Sequence, residues 1–378
     1  MRQLIEAEVT EICGPKGKHD RNRKAVRHGT EHGRVVLGGR EARLERPRCR
    51  TLDGQEVQLQ TYSMFQRQDM LTMAAMERIL YGLSTRRYTH GLEPIDSGIE
   101  TVGISKSAIS RRFIAGTRQA LAELLVRPLD RERFLVLMID GVVVAEHTVV
   151  AALGIDAGGK KHMLGLWEGA TENKAVCQAL LANLLERGLR VEEGILVVID
   201  GSWALAAAVK DAFGNRAFIQ RCRVHKKRNV MEHLPKNEQA WVARKLDDAW
   251  HNTNPDRALE TLRALATRLE KPYPGAAASL REGMDDTLTV NRLGLPEKLC
   301  LSLGSTNIIE SANDRARTIC RNVKRWQNGE QVLRWTAAAY LEAEKGFRRL
   351  KGYRELVILD EAMRRELFPT LSMAVQGA

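Results

Sequence analysis

Two aspartates in this chain each end a run of apolar residues, and the two runs share one pattern. Asp140 ends FLVLMID and Asp200 ends ILVVID, and a glycine follows in both cases. Runs of this length and composition predict buried strands. A carboxylate at the end of a buried strand costs desolvation free energy unless hydrogen bonds or a bound cation compensate it. Either motif alone would favour an ordinary Asp-Gly turn.

The segments around the two aspartates predict one mixed sheet. Their order is strand, strand, strand, helix, strand, helix, strand, with a hairpin turn at 157–159 and a helix over 173–189. A hairpin edge joined to right-handed βαβ crossovers gives a mixed sheet with helices packed on it. This order predicts an RNase H-like α/β core.

Such a core would bring the two carboxylates together although they are far apart in the sequence. Asp140 and Asp200 would then end neighbouring central strands, where like charges repel each other. A divalent cation between them removes this conflict, and hard oxygen ligands suit Mg²⁺ or Mn²⁺. Two such ions, about 3.5–4 Å apart, hold the attacking and leaving oxygens in phosphoryl transfer.

A third carboxylate lies in the helical pattern of STNIIESANDRARTICRNVKR (305–325). Glu310 falls outside the apolar stripe of this helix and shares a face with Arg317, Arg321 and Lys324. A carboxylate followed by a basic track suits metal ligation beside a DNA backbone. Taken alone, the same pattern favours a solvated helix face with local salt bridges.

Residues 12–34 are rich in Lys, Arg, His and Gly and show no useful periodicity. Residues 1–33 predict a flexible basic arm, and turn signals at 38–39 and 53–54 predict a small β meander over 34–62. A metal site within the arm is a weaker alternative because the spacing of its candidate ligands is irregular. Those candidates are Cys13, His19, His28 and His32.

Residues 63–130 predict a helical region that could bind DNA. The segment after Gly103 is similar to the turn and second helix of a helix-turn-helix, which would place Arg111 and Arg112 at phosphates. An ordinary helical pair fits the pattern nearly as well. The rest of the chain is divided into a first part of the core (131–226), a helical insertion (227–300), the last core helix (301–350) and a C-terminal helical tail (351–378).

Composition narrows the class of partner. The chain of 378 residues has a formal charge of +12 and a pI near 9.6, which favours polyanionic partners such as nucleic acid. The apolar runs are too short to cross a bilayer, and acidic residues occupy the start where a signal peptide needs an apolar core. Six scattered cysteines form no CxxC pair, so neither a disulfide framework nor a four-cysteine zinc site is expected.

Five motifs in order give the chain a family resemblance. They are IDG at 139–141, LGLWEGATEN at 164–173, VVIDG at 197–201, CRVHKKRNV at 222–230 and STNIIES at 305–311. The chain resembles bacterial Mutator-type insertion-sequence transposases of the DDE class. The resemblance implies that Asp140, Asp200 and Glu310 form a catalytic triad that binds Mg²⁺, with Mn²⁺ as an alternative. It further implies that Cys222 and His225 match a Cys-x-x-His signature. Because two ligands do not complete a tetrahedral zinc site, we interpret them as structural or as shaping the active site.

The resemblance also implies a reaction and its partners. The protein would cut DNA at terminal inverted repeats and transfer the strand into target DNA, as a dimer or higher oligomer on DNA. It would work in the bacterial cytoplasm at the nucleoid, without a membrane. Three alternatives remain: a catalytically silent DNA-binding repressor, a stand-alone RNase H-like nuclease and a phosphatase acting on small molecules. A transposase would cut and join DNA, a repressor would only bind it, a nuclease would only cut it, and a phosphatase of this kind would not act on DNA.

Overall fold

The computed structural model describes residues 1–18, 20–66, 68–92, 94, 99–169 and 174–369. It has two compact units: a first unit, Met1–Gln119, and a second unit that begins at Ala120. Within the described ranges, no helix is both long enough and apolar enough to span a bilayer.

The first unit is built on a long β-hairpin. Strands β1 (Ala25–Leu37) and β2 (Arg40–Thr51) pair antiparallel through the predicted turn at Gly38 and Gly39, both of which have positive φ. Helix α1 (Arg2–Cys13) packs on the hairpin and contributes Ile5, Val9 and Cys13 to its core. These three residues recur every four positions, which is the period of a helix with one buried face.

The prediction of a flexible arm over 1–33 is therefore wrong, because α1 and most of β1 occupy it. The meander over 34–62 is also corrected: the third strand of this sheet is β3 (Thr101–Val102), and the turn at Asp53-Gly54 leads only to the isolated bridge between Arg50 and Glu56. Of the candidate arm ligands, Cys13 is buried, whereas His28 and His32 lie on β1, outside the core. His19 lies outside the described residues.

Three helices follow the hairpin: α2 (Gln60–Phe65), α3 (Gln68–Leu80) and α4 (Lys106–Val126). The helix predicted after Gly103 is present as α4, but the residues just before Gly103 form β3. A helix-turn-helix joins its helices by a turn of about 3–4 residues. Because α3 ends at Leu80 and α4 begins only at Lys106, the described part of the chain does not contain the expected short turn between them.

The second unit contains the predicted mixed sheet. Its spatial order is β6-β5-β4-β7-β8; β4, β5 and β6 pair antiparallel, whereas β7 is parallel to both β4 and β8. Helices α5 (Lys174–Glu186) and α6 (Trp203–Phe213) follow β6 and β7 and share one hydrophobic core with the sheet. The strands are β4 (Phe134–Val144), β5 (His147–Asp156), β6 (Lys161–Gly169), β7 (Ile195–Ile199) and β8 (Ala217–Arg221).

A set of helices follows β8 and builds a separate hydrophobic core from residues between Val230 and Leu288. This set occupies the predicted helical insertion but begins slightly earlier, at Arg223. Its helices are α7 (Arg223–Glu232), α8 (Lys236–Trp250), α9 (Pro255–Glu270), α10 (Pro274–Arg281), α11 (Thr289–Arg292) and α12 (Glu297–Leu303).

The last part of the chain has three helices: α13 (Asn307–Cys320), α14 (Gly329–Glu344) and α15 (Leu356–Leu367). The helix predicted within 305–325 thus ends at Cys320, and Asn328 caps α14 by accepting a hydrogen bond from the backbone of Gln331. Helix α14 packs on α13 and β6. The predicted last core segment therefore holds two helices, and the end of the predicted tail, 370–378, lies outside the described residues.

Candidate active site

Asp140 and Asp200 lie at the same edge of the sheet. The parallel pairing of β4 and β7 ends at Ile139 and Ile199, so the two aspartates are the next residues on neighbouring strands. Neighbouring strands are about 4.8 Å apart, and residues in register point to the same face. Asp140 also pairs with Ala151 of β5 and is 9% exposed. The register thus places Asp140 and the residue after β7, Asp200, at neighbouring positions.

Cys222 lies at this edge on the next strand. Strand β8 pairs with β7 up to Arg221, and the backbone N–H of Cys222 donates to the carbonyl of Ile199 at 2.8 Å. Three neighbouring strands, β4, β7 and β8, thus lead to Asp140, Asp200 and Cys222 at one edge.

The turn after β7 holds the second aspartate in place. Asp200 Oδ1 accepts a hydrogen bond from the backbone N–H of Ser202 at 2.8 Å, and the Ser202 hydroxyl caps α6 by accepting from the backbone of Leu205. Such short polar caps satisfy donors at a helix start. Trp203, the next residue, has 77% of its surface exposed. An aromatic ring therefore faces solvent close to Asp200.

Helix α13 and the residue before it contact both Cys222 after β8 and Asp140 of β4. At its start, the backbone N–H and the hydroxyl of Thr306 lie 3.4 and 3.2 Å from Cys222 Sγ. Two turns later, Asn313 Nδ2 donates to Asp140 Oδ2 at 2.7 Å. The helix rises about 10 Å between these two contacts, which matches two strand spacings of about 4.8 Å each.

Glu310 lies between the two contact points of α13. It follows Thr306 by four positions and precedes Asn313 by three, so all three side chains share one face of the helix. Glu310 therefore lies between Thr306, which contacts Cys222 after β8, and Asn313, which contacts Asp140 of β4. Its carboxylate accepts a hydrogen bond from the Thr306 hydroxyl and lies 3.8 Å from His225 Nδ1.

A buried hydrogen-bond chain supports Asp140 from behind. Asn313 is fully buried, and its Oδ1 accepts a hydrogen bond from the Tyr340 hydroxyl of α14 at 2.6 Å. Burial, together with the charge of Asp140, raises the pKa of Tyr340 far above its ordinary value. Tyr340 is therefore held as a neutral donor, which orients the Asn313 amide toward the carboxylate.

Sequence reasoning missed Thr306, Asn313 and Tyr340. The available signal was a polar residue inside an apolar stripe: Asn313 lies among Ile309, Ala312 and Ala316, all of which are buried. A buried amide requires hydrogen-bond partners. Nothing in the sequence identified Tyr340 as that partner.

Cys222 and His225 interact directly with each other. Burial would raise the pKa of the Cys222 thiol, but hydrogen bonds with His225 and Thr306 outweigh it and hold the pKa below its ordinary value. The hydrogen bond with Cys222 raises the pKa of His225 in spite of burial. Both shifts favour a thiolate beside an imidazolium. Asp156 lies opposite Phe134, at the other end of β4.

The predicted basic residues have different environments. Arg317, Arg321 and Lys324 are exposed, but only Arg317 lies within α13, where it also binds Asp314 at 2.6 Å. Arg317 and Arg321 line a cleft of about 240 Å³ beside the turn that joins β4 and β5. In the first unit, Arg111 is exposed, whereas Arg112 is 3.5 Å from the buried carboxylate of Glu41. Arg112 is thus partly committed to an internal ion pair.

Comparison with known proteins identifies the family. The family described as "Transposase, Mutator family" matches residues 1–349. The chain belongs to this family. It is 29% identical over 367 residues to the transposase for insertion sequence element ISRM5 of Rhizobium meliloti, a match that covers 93% of this chain and 88% of that protein.

Two further transposases of insertion sequences are similar over much of their length. That of IS256 in transposon Tn4001 of Staphylococcus aureus is 26% identical, covering 90% of this chain and 87% of the relative. That of IS1081 of Mycobacterium tuberculosis is 26% identical, covering 77% and 70%. The Mutator-family match spans the first unit, the mixed sheet and helices α13 and α14, and it ends before α15.

Proposed function

We propose that this Mutator-family chain is an active transposase whose catalytic carboxylates are Asp140, Asp200 and Glu310. The observation that supports this most is the path of α13. Helix α13 contacts Cys222 after β8 and Asp140 of β4, and Glu310 lies on the same face of the helix between these two contacts. We infer that these three carboxylates, which are far apart in the sequence, converge at one edge of the sheet.

The strand arrangement supports an RNase H-like core for this transposase. The order β6-β5-β4-β7-β8 has an antiparallel meander on one side and two parallel crossovers on the other. Asp140 is on the central strand and Asp200 follows its parallel neighbour. The end of an open sheet where strand connections diverge is the usual place for an α/β active site.

The side chains at this edge fit a hard divalent cation. Carboxylate oxygens are the ligands that Mg²⁺ and Mn²⁺ prefer, and Asp140, Asp200 and Glu310 provide three such groups. When bound, Mg²⁺ would supply Lewis-acid activation of water and neutralise charge on the transferring phosphoryl group. The protein holds the three groups in place through Asn313, Ser202 and Thr306, each of which donates a hydrogen bond to one carboxylate.

The proposed reaction is phosphoryl transfer on DNA. Hydrolysis of a phosphodiester at the element end would free a 3′-hydroxyl, which then attacks a phosphodiester of the target strand. Neither step requires a protein nucleophile, because catalysis rests on positioning and on stabilising charge. Exposed basic residues of the second unit, Arg317, Arg321 and Lys324, would hold the backbone by phosphate contacts.

We assign recognition of the terminal inverted repeats to the N-terminal half, where Arg111 is exposed on α4. Arg112 would reach a phosphate only by exchanging its ion pair with Glu41. Two element ends must meet in one complex, so we expect a dimer or higher oligomer on DNA. A net charge of +12 favours residence at the nucleoid.

The test is a cleavage assay on labelled DNA that carries the inverted repeats flanking the gene, with Mg²⁺ or with EDTA. We expect nicking at the element end and strand joining, both dependent on the metal and both lost in Glu310→Gln. Asp314→Asn is a matched control, because Asp314 is an exposed acid on the same helix. Binding without cleavage under any metal would support a repressor instead, and cleavage without joining would support a nuclease.

A further inference from the structure

Three potential metal ligands of different chemistry meet where α7 begins and α13 passes over it. Cys222 provides a sulfur, His225 a ring nitrogen and Glu310 a carboxylate oxygen, and these atoms all lie within 4.8 Å of one another. The sequence showed only the pair in CRVH. The sequence does not indicate the third ligand, because the whole helical insertion separates Glu310 from His225 along the chain.

We propose that Cys222, His225 and Glu310 form a binding site for a thiophilic divalent cation, with Zn²⁺ as the preferred ion. Zinc takes Cys sulfur at about 2.3 Å, His nitrogen at about 2.0–2.1 Å and carboxylate oxygen at about 2.0–2.2 Å. Ligand atoms in a tetrahedral site are then about 3.3–3.6 Å apart. The separation between His225 Nδ1 and Glu310 Oε1 is 3.8 Å, so these two atoms are within a few tenths of an ångström of that spacing.

The ligands come from anchored parts of the fold. The backbone N–H of Cys222 donates to Ile199 of β7, and that of Arg223 donates to Gly304 at 2.9 Å, which ties the start of α7 to the segment before α13. The Thr306 backbone N–H points at the Cys222 sulfur. A donor of this kind stabilises a metal-bound thiolate from outside the ligand shell.

The site is open on one side. Cys222 is fully buried, whereas the side chains of His225 and Glu310 are 19% and 36% exposed. A cation can therefore reach the sulfur past the two outer ligands, and a water molecule would complete the coordination. Three protein ligands and one open position are typical of zinc sites that exchange their fourth ligand.

The Thr306 hydroxyl is the alternative explanation for this cluster. It lies 3.2 Å from Cys222 Sγ and 3.4 Å from His225 Nδ1, and it also contacts Glu310. One hydroxyl donates a single proton, so it donates to either Cys222 or Glu310 when both are ionised, while it accepts from the His225 ring N–H. A metal ion can engage all three. Thr306→Val separates the two explanations, because it removes the hydroxyl and keeps every proposed ligand.

This site differs from the proposed Mg²⁺ site, although both use Glu310, and its test does not depend on DNA cleavage. We would titrate the full chain with Co²⁺ and record its absorption. One equivalent should give a sulfur-to-cobalt charge-transfer band that Zn²⁺ removes. Cys222→Ser should lose the band. His225→Gln and Glu310→Gln should weaken Zn²⁺ binding by at least about 10-fold, since even loss of an outer-shell partner costs about 10–100-fold.

Two controls make the result decisive. Thr306→Val should keep the band, and so should Cys49→Ser, which removes a buried thiol beside Cys13 in the first unit. If Cys222→Ser fails to fold by circular dichroism, the partly exposed His225 provides the test. The proposal is overturned if no charge-transfer band forms or if the band survives in Cys222→Ser. It is also overturned if His225→Gln binds Zn²⁺ as tightly as the wild type.

Discussion

The substitution Asp140→Asn tests whether this carboxylate contributes to metal binding or to the stability of the fold. Neighbouring strands are about 5 Å apart, and we take this as the spacing of the Asp140 and Asp200 carboxylates after the paired residues of β4 and β7. Two charges at this distance repel by about 1 kcal/mol in water and about 3 kcal/mol at an effective dielectric constant of about 20. The substitution removes this repulsion.

The hydrogen bond from Asn313 opposes that gain. The hydrogen bond from Asn313 to a charged carboxylate is worth about 1.5–3 kcal/mol, and to a neutral amide oxygen about 0.5–1.5 kcal/mol. The resulting loss of about 1–1.5 kcal/mol is no larger than the repulsion that disappears. We therefore expect the unfolding free energy of Asp140→Asn in EDTA to equal that of the wild type within about 1 kcal/mol, or to exceed it.

The assay is urea unfolding in EDTA and in Mg²⁺. A ligand at about 100 times its Kd stabilises the folded state by about 2.7 kcal/mol. The wild type should show a shift of this size in saturating Mg²⁺, and Asp140→Asn should show almost none. The reasoning is refuted if the variant loses more stability in EDTA than one charged hydrogen bond supplies and still responds to Mg²⁺, because Asp140 would then be a structural acceptor.

Asp156→Asn is the matched control from the opposite end of the same sheet. Asp156 is buried and accepts hydrogen bonds from the backbone of Lys160 and from His162 Nε2, both at 2.9 Å. These contacts indicate that the Asp156 carboxylate stabilises the fold. The control should therefore lose about 1–3 kcal/mol of stability and keep the full Mg²⁺ response. If Asp156→Asn lost the Mg²⁺ response, the assay would report a general loss of folded structure and not the loss of a metal ligand.

Three further predictions follow from individual side chains. Tyr340→Phe leaves Asn313 Oδ1 without its hydroxyl donor. The unfolding free energy should fall by about 1–3 kcal/mol in urea unfolding, and Mg²⁺-dependent cleavage should be slower in single-turnover kinetics. Burial lowers the pKa of Lys226 to about 8, so the unfolded state binds more protons than the folded state between about pH 8 and 10. The unfolding free energy of the wild type, measured in urea relative to that of Lys226→Met, should therefore rise by about 2 kcal/mol across that interval. Trp203→Ala should weaken binding of DNA with an unpaired flank by about 10-fold in a gel-shift titration, because stacking on an aromatic ring is worth about 1–3 kcal/mol per base.

The sheet and its two aspartates could be predicted because their signals are local. Apolar runs ending in Ile-Asp-Gly specify strands, and the order of strands and helices limits the topology to few choices. Glu310 could be placed on a helix because the stripe through Ile309, Ala312 and Ala316 has the period of a helix. Each of these inferences needs only neighbouring residues.

The errors arose where tertiary contacts decide the outcome. Helix α1 gains its stability by burying Ile5 and Val9 on the hairpin, whereas composition emphasised the charges that follow it. The third strand, β3, pairs with β2 although helices α2 and α3 lie between them in the sequence, and no local turn signal encodes such a pairing. The hydrogen bonds from Asn313 to Asp140 and from Tyr340 to Asn313 likewise depend on how α13 and α14 pack.

Zinc inhibition of cleavage connects the two proposed metal sites through Glu310. If Zn²⁺ engages this carboxylate together with Cys222 and His225, the third ligand of the Mg²⁺ site is lost, and cleavage should fall as zinc rises even in excess Mg²⁺. Cys222→Ser should raise the zinc concentration for half-inhibition by at least about 10-fold, with each protein compared with its own zinc-free rate. Equal sensitivity of the two proteins would mean that zinc acts at Asp140 and Asp200 instead, since that site lacks the sulfur.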